Sequence, residues 1–292
     1  MVKIDRVDIA IIGTGPAGLE AAITSKIRNK TVLLFGTKNL STKLAKAEKI
    51  NNYLGFPQIS GGDLAGHFEK HLKDSGIEIT EKKVTLIFSA GDYFSIQADN
   101  DIFEARSLIL ATGVAPAKTY PGEEQFLGRG VSYCATCDAA LYKGKTAVVI
   151  GFSKKEESEA EFMSEFAAKT YYIPVYKEET ELSDKIEVIK DRPVSIEGGL
   201  KVNKLRTEGG EIETDGVFIL RDSIAPSQLV SGLEMDGNHV KTDLKMKTNI
   251  PGCFVAGDIA GTPYQYIKAA GQGNIAALSA VEYLGNLNKQ KS

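Results

Sequence analysis

Two stretches of the chain share one alternation of apolar runs and helical spacing. A continuous apolar run from Val7 to Ile12 ends at a glycine, apolar residues then recur at helical spacing, and a second run covers Thr31 to Phe35. The same order returns with runs at Thr146 to Ile150 and Tyr171 to Ile173. Each stretch is typical of a strand, a turn, a helix and a parallel strand. The pattern therefore predicts an α/β fold with two doubly wound domains.

The end of the chain predicts one more strand and one long helix. The strand lies at Cys253 to Ala256, and the Ala- and Gly-rich helix covers Tyr266 to Leu284. A lone strand and helix cannot bury both of their faces, so we expect them to return to the first domain. We therefore predict two dinucleotide-binding-type domains, the second inserted into the first. Residues 1–113 and 239–292 would form the first, and residues 114–238 the second.

Composition and charge exclude several classes of protein. The chain is 42% hydrophobic and 25% charged, which is ordinary for a folded domain. A net charge of −3 provides no excess of positive charge for nucleic acid. No apolar run approaches the roughly 20 residues that cross a bilayer, and the N-terminal residues lack the features of a secretory signal. We therefore expect a cytoplasmic protein that binds neither nucleic acid nor membranes.

Three glycines follow the first strand at the spacing of a phosphate-binding turn. Gly13, Gly15 and Gly18 stand between a predicted strand and a predicted helix, which is the context that supports dinucleotide binding. Without a Cβ, they let the backbone approach a phosphate closely. The alternative is a glycine-rich turn without a ligand. The second strand ends at Phe35 and Gly36 without an acidic residue, so recognition of a ribose must come from elsewhere.

Two further segments complete a resemblance to a known family. Residues 108–113 and 252–258, taken with the glycine turn, look like the FAD motifs of the pyridine nucleotide–disulfide oxidoreductases, and nearly the whole chain resembles the small-type thioredoxin reductases. The resemblance implies FAD in the first domain. Tyr264 stands where the family usually has Arg, so we expect a different contact at the flavin ring. The cofactor-binding residues that the resemblance implies are Gly13, Gly15, Pro16, Ala17, Gly18, Phe35, Gly36, Asn52, Val84, Ala111, Thr112, Gly113, Gly257, Asp258, Tyr264 and Gln265.

Cys134 and Cys137 form a CxxC pair, and the chain has one other cysteine. Two sulfurs at this spacing can form a reducible disulfide or half of a zinc site. Zinc would need two more Cys or His ligands at suitable spacing, and Cys253 falls in a predicted buried strand. We therefore favour a redox dithiol and expect no metal. A helix starting near Asp138 would increase thiolate reactivity.

The string from Val131 to Asp138 resembles the active site of thioredoxin reductases. The resemblance implies that Cys137 faces the flavin, that Cys134 exchanges with the protein substrate thioredoxin, and that Asp138 handles protons. An adjacent carboxyl group can supply the proton that a departing thiolate needs. The resemblance also implies a homodimer.

The second domain lacks the features that bind NADPH in the family. The turn after the strand at 146–150 keeps Gly151, but Phe152 follows it, and Glu156, Glu157 and Glu159 lie close by. These carboxylates would satisfy the helix dipole and repel a dinucleotide.

Two other family segments are also replaced. A His-Arg-Arg run appears here as residues 174–176, Pro-Val-Tyr, and a Gly-His-x-Pro stretch appears as residues 222–225. The ferredoxin-dependent flavin thioredoxin reductases resemble the NADPH enzymes but lack the same motifs. We therefore expect ferredoxin as the electron donor. The alternatives are an NADPH-dependent reductase with a diverged site and a non-catalytic FAD-binding redox sensor.

Overall fold

The computed structural model describes residues 6–40, 42–45, 47–114, 119–221 and 224–291. The chain forms two compact units: Met1–Pro116 together with Ala225–Ser292, and Ala117–Ile224. The second unit is thus inserted into the first in sequence. The predicted fold class, α/β with two dinucleotide-binding-type domains, is confirmed.

The first unit is built on a mixed sheet. Strand order is β3-β2-β1-β6-β5-β4, parallel from β3 to β6 and antiparallel from β6 to β4. The elements before the insertion are β1 (Val7–Ile12), α1 (Pro16–Ile27), β2 (Val32–Phe35), α2 (Thr42–Ala45), α3 (Gly61–Asp74), β3 (Ile79–Thr80), β4 (Val84–Ser89), β5 (Phe94–Ala98) and β6 (Asp101–Leu110).

The second unit carries a parallel sheet in the order β10-β9-β8-β14-β7 and an antiparallel sheet of β11, β12 and β13. Short 3-10 turns cover Lys154–Glu156 and Ala139–Tyr142. The elements are β7 (Val131–Ser132), α4 (Ala135–Asp138), β8 (Thr146–Gly151), α5 (Glu157–Ser164), β9 (Lys169–Pro174), β10 (Ile186–Val188), β11 (Pro193–Gly198), β12 (Val202–Thr207), β13 (Glu211–Glu213) and β14 (Gly216–Leu220).

The last segment completes the first unit. Its elements are α6 (Pro226–Leu229), β15 (Met235–Asp236), β16 (His239–Val240), β17 (Cys253–Val255) and α7 (Tyr266–Lys291). β17 extends the sheet by pairing in parallel with β6. α7 packs along α1 so closely that a Cβ at Gly273 would lie 2.1 Å from the Ala17 carbonyl oxygen. The helix continues to Lys291, beyond the predicted end at Leu284, and Leu287 in this extension packs against the core of the first unit.

The second unit ends at Ile224, earlier than the predicted boundary at 238. The segment that follows packs on the first unit, because buried Val230 forms a parallel bridge with Ile87 of β4. The sequence shows polar residues near 234–238 but not this pairing partner.

Both parallel sheets are buried at their centres. Ile9, Ile11 and Ile109 are fully buried in the first unit, and Val149 and Phe218 in the second. Such continuous apolar strands are typical of sheets covered on both faces. None of the helices in the described part of the chain has the length and apolar character needed to span a membrane.

Candidate functional site

The turn between β1 and α1 brings the backbone into close contact with β6. Gly13 adopts a φ of +118°, and a Cβ there would lie 2.3 Å from the Ala111 carbonyl oxygen. A Cβ at Gly18 would lie 1.9 Å from the Gly13 carbonyl oxygen. Only glycine therefore fits at either position. The glycines are required by the turn itself, whatever it binds.

The start of α1 is open. Gly15 caps this helix and Pro16 is its first residue; no side chain in the described part of the chain caps it, and its first turn holds no acidic residue. Apart from Gly15 and the adjoining backbone, no atom of the described residues lies within 4 Å of the place where a Cβ at Gly15 would stand. Backbone N–H groups at such a helix start bind phosphate well. The residues present therefore fit the pyrophosphate of a dinucleotide cofactor.

Other predicted cofactor residues follow the ends of neighbouring strands at the same edge. The Gly13 N–H donates to the Phe35 carbonyl at 2.8 Å, and the Ala111 N–H donates to the Ile12 carbonyl at 2.8 Å. The Phe35 ring is buried against Phe103, so Phe35 presents only backbone at this edge. The remaining predicted residues here are Ala17 in α1, Gly36 after β2, Thr112 and Gly113 after β6, and Gly257 and Asp258 after β17.

Two predicted flavin-contacting amides meet in the first unit. The Asn52 Nδ2 group donates to Gln265 Oε1 at 2.6 Å, although 213 residues separate them. Both side chains are exposed. Tyr264 is held by a 2.7 Å hydrogen bond between its hydroxyl and His239 Nε2. Val84, another predicted cofactor residue, lies at the start of β4, which β5 and β6 separate from β1.

An acidic residue that the sequence did not reveal lies beside the end of β2. Glu81 follows β3, which pairs with β2 through Phe35 and Thr80. Its Oε1 accepts from the Lys38 N–H at 3.0 Å and its Oε2 lies 2.8 Å from Lys38 Nζ. These hydrogen bonds lower the pKa of Glu81. A carboxylate therefore stands at the edge where ribose-binding acids occur, supplied by a neighbouring strand.

Cys134 and Cys137 form a disulfide. The predicted helix starts earlier than Asp138: it covers Ala135–Asp138, with Cys134 as the capping residue. Cys134 Sγ accepts the N–H of Cys137 at 3.1 Å, and this bond closes the turn around the sulfurs. Cys134 is buried and Cys137 is half-buried.

Ser132 forms hydrogen bonds to two residues of the disulfide segment, which covers residues 134–138. Its hydroxyl donates to Asp138 Oδ2 at 2.7 Å, and its oxygen accepts the Cys134 N–H at 3.2 Å. The only signal for this contact in the sequence is the position of Ser132 beside the motif. Cys253 is buried, and burial raises the pKa of its thiol to about 12, so it is an unreactive core residue. The residues that the structure describes form no three-ligand metal cluster.

The corresponding turn after β8 is closed by side chains of its own unit. A Cβ at Gly151 would lie 2.0 Å from the Tyr172 hydroxyl oxygen. That hydroxyl donates to the Tyr176 hydroxyl at 3.3 Å, and Tyr176 in turn donates to the Glu157 carboxylate. Burial raises the pKa of Tyr172 to about 12, which keeps its hydroxyl protonated near neutral pH. Glu157 also accepts the Glu181 N–H at 3.0 Å.

Phe152 follows Gly151 in the same turn and contacts Arg221. Its ring stacks on the Arg221 guanidinium, 4.9 Å from the ring centroid, and Arg221 is paired with the fully buried Glu123. The first turn of α5 carries Glu157 and Glu159. The first turn of α5 is therefore acidic, unlike that of α1. The other replaced family segment falls partly on residues 222–223, which lie outside the described residues.

The arrangement agrees with comparisons to known proteins. The chain matches the profile of the pyridine nucleotide-disulphide oxidoreductases over residues 7–153 and 167–273. The chain belongs to this family. The expectation of a flavin cofactor is confirmed, and together with the relatives described below this match confirms the resemblance to the small-type thioredoxin reductases. This pyridine nucleotide-disulphide oxidoreductase is a flavoprotein enzyme with a redox-active disulfide.

Relatives cover almost the whole oxidoreductase. Thioredoxin reductase from Aquifex aeolicus is 34% identical, with 97% of this chain and 94% of the relative covered. The Bacillus subtilis thioredoxin reductase is 29% identical, with 97% and 96% covered. A crystal structure of a ferredoxin-flavin thioredoxin reductase from Clostridium acetobutylicum is 56% identical, with 98% of this chain and 99% of that chain covered and a TM-score of 0.88.

A Gly15→Ala variant tests the phosphate cradle. The added methyl group meets no described atom of the protein but intrudes on the space at the start of α1. We expect an unchanged circular dichroism spectrum and at least tenfold weaker FAD binding, measured by titrating FAD into the apoprotein. Gly66→Ala in α3, also in open space, is the matched control and should bind FAD like the parent. FAD binding of parental strength in Gly15→Ala would contradict this assignment of the cradle.

Proposed function

We propose that this flavoenzyme reduces the disulfide of thioredoxin through Cys134 and Cys137 and takes its electrons from reduced ferredoxin rather than from NADPH. The observation that carries the proposal is the closed turn after β8, in a unit that keeps a complete redox disulfide. An open cradle in the first unit and a filled one in the second favour one bound dinucleotide, FAD.

The filled turn disfavours NADPH on two grounds. The pyrophosphate would meet the Tyr172 hydroxyl at Gly151 and the negative charge of Glu157 in the first turn of α5. Two like charges 4 Å apart repel by about 4 kcal/mol at an effective dielectric constant of 20. The 2′-phosphate is normally held by Arg, whose planar group binds it through two hydrogen bonds. Tyr176 after β9 donates its hydroxyl to Glu157 instead.

Similarity to named proteins supports the choice of partners. Two structures of ferredoxin-flavin thioredoxin reductases from Clostridium acetobutylicum are 56% and 52% identical to this chain, with TM-scores of 0.88 and 0.84. Curated relatives at 29–34% identity are thioredoxin reductases. Thioredoxin as the electron acceptor agrees with both sets of relatives, and ferredoxin as the electron donor agrees with the two Clostridium acetobutylicum structures.

The residues around the disulfide suit its reduction. When bound, FAD supplies a carrier that takes up single electrons and passes on a pair. Reduction breaks the sulfur–sulfur bond and adds two electrons and two protons to Cys134 and Cys137. Asp138, oriented by the Ser132 hydroxyl at 2.7 Å, is placed to exchange a proton with the departing thiolate.

Transfer to thioredoxin then proceeds by thiol–disulfide exchange. The Cys134 thiolate attacks a thioredoxin sulfur to form a mixed disulfide, and Cys137 resolves it, which releases a thioredoxin dithiol and restores the enzyme disulfide. Because Cys134 is buried, its surroundings must open before a protein substrate can reach it.

The overall transfer is downhill. A ferredoxin near −400 mV and a thioredoxin near −270 mV differ by about 130 mV, which is roughly 6 kcal/mol for two electrons. We further propose a homodimer, from the family resemblance, and a cytoplasmic location, because a dithiol that must be reduced in every cycle suits a reducing compartment.

Anaerobic flavin spectroscopy with parallel donors tests the proposal. Reduced ferredoxin should bleach the oxidised flavin band and, with thioredoxin present, generate thioredoxin thiols; NADPH and NADH should do neither, because the second turn is closed. Complete bleaching by NADPH within seconds would establish the diverged NADPH-dependent enzyme. Bleaching without thioredoxin thiols under any donor would indicate the redox sensor.

Single-cysteine variants test the roles of the two sulfurs. Cys137→Ser should form a stable mixed disulfide with a thioredoxin whose one remaining cysteine is activated by thionitrobenzoate, because Cys134 is then free to attack. Cys134→Ser should couple far more slowly, and Cys253→Ala should keep full turnover. Non-reducing gels and mass spectrometry measure the adducts. If Cys134→Ser formed the mixed disulfide faster than Cys137→Ser, then Cys137 rather than Cys134 would be the cysteine that attacks thioredoxin.

A further inference from the structure

Glu159 reaches from α5 to the disulfide segment. Its Oε2 accepts the backbone N–H of Ala135 at 2.8 Å, across 24 residues of sequence. Ala135 is fully buried, and so is Ala160, the neighbour of Glu159. The bond is charge-assisted and partly shielded from water, which makes it stronger than a neutral hydrogen bond.

The bond acts on the peptide that follows Cys134. On one side of that residue, the Cys134 N–H is bound by the neutral Ser132 hydroxyl. On the other side, the Ala135 N–H is bound by the Glu159 carboxylate. Both N–H groups beside this cysteine thus have oxygen acceptors, and one acceptor is a carboxylate.

We propose that Glu159 is a positioning residue that makes the Cys134–Cys137 couple more reducing. A thiolate is stabilised by nearby positive charge and by N–H donors, and stabilising the reduced form in this way makes the disulfide a stronger oxidant and the dithiol a weaker reductant. Glu159 has the opposite effect, since it occupies the Ala135 donor and places a carboxylate on the peptide that follows Cys134. The dithiol is therefore disfavoured relative to the disulfide, and the dithiol passes its electrons to an acceptor more readily.

The other carboxylates near this segment have different partners. Asp138 accepts from Ser132, Glu157 accepts from Tyr176, and Glu161 accepts from the Ser183 N–H at 2.6 Å and its hydroxyl at 2.8 Å. Glu161 therefore offers a matched control: it lies on the same helix as Glu159, and its carboxylate is engaged with Ser183.

The test measures the thiol–disulfide equilibrium of the holoenzyme in dithiothreitol redox buffers, with thiols counted by maleimide labelling and mass spectrometry. Glu159→Gln keeps an oxygen acceptor for Ala135 but removes the charge. We expect the equilibrium constant to shift about tenfold toward the dithiol, which is about 30 mV more positive for two electrons. Glu161→Gln should leave it unchanged, and both variants should keep parental flavin content.

An equilibrium in Glu159→Gln equal to that of the parent would overturn the proposal, as would an equal shift in Glu161→Gln. If Glu159→Gln does not fold, Glu159→Asp retracts the carboxylate by one methylene and should shift the equilibrium in the same direction by a smaller factor; no shift would again overturn it. The inference rests on the proposed function for its acceptor, but this equilibrium needs neither ferredoxin nor thioredoxin. The two can therefore fail separately.

Discussion

Helix-start N–H groups bind a phosphate only where the preceding turn leaves them uncovered, and this constraint separates the two units. Both units pass from a buried parallel strand through a glycine into a helix. After β1, the contact between Gly13 and Ala111 keeps the chain close to the sheet and leaves the start of α1 open. After β8, the Tyr172 hydroxyl stands against Gly151, and the carboxylate of Glu157, which accepts from Tyr176, adds a negative charge. The same local fold therefore admits a dinucleotide in one unit and disfavours it in the other.

The unit with the filled turn is still needed, because it builds the dithiol. α4 and α5 pack through fully buried Ala135 and Ala160. The carboxylate of Glu159 then holds the backbone next to Cys134. In the second unit, α5 thus holds the backbone of the disulfide segment, whereas the corresponding helix of the first unit, α1, presents its N–H groups to a phosphate. A reductase that takes electrons from a protein donor has no need for a second nucleotide, but it must still present a disulfide on a rigid support.

The sequence predicted what short-range patterns encode. Apolar runs ending in glycine indicated β1, β8 and their helices, and the CxxC pair indicated the disulfide. Contacts between distant segments have no such signal. The meeting of Asn52 with Gln265 could be expected only through family resemblance, and the carboxylate of Glu81 beside β2 depends on the pairing of β3. The position of the second boundary likewise depends on Val230 joining β4. At Tyr176 the sequence shows only that an arginine is absent, whereas the structure shows that this tyrosine donates its hydroxyl to Glu157.

Side chains of the second unit close its own nucleotide turn, and this closure decides which electron donor the enzyme can use. Isothermal titration calorimetry of the oxidised holoenzyme with NADP⁺ measures the affinity of the enzyme for this dinucleotide. A thioredoxin reductase that uses NADPH is the positive control. We expect no saturable binding of NADP⁺ up to about 1 mM, which corresponds to a binding free energy weaker than about −4 kcal/mol. Saturable binding at micromolar concentration, with a stoichiometry of one per chain, would contradict it.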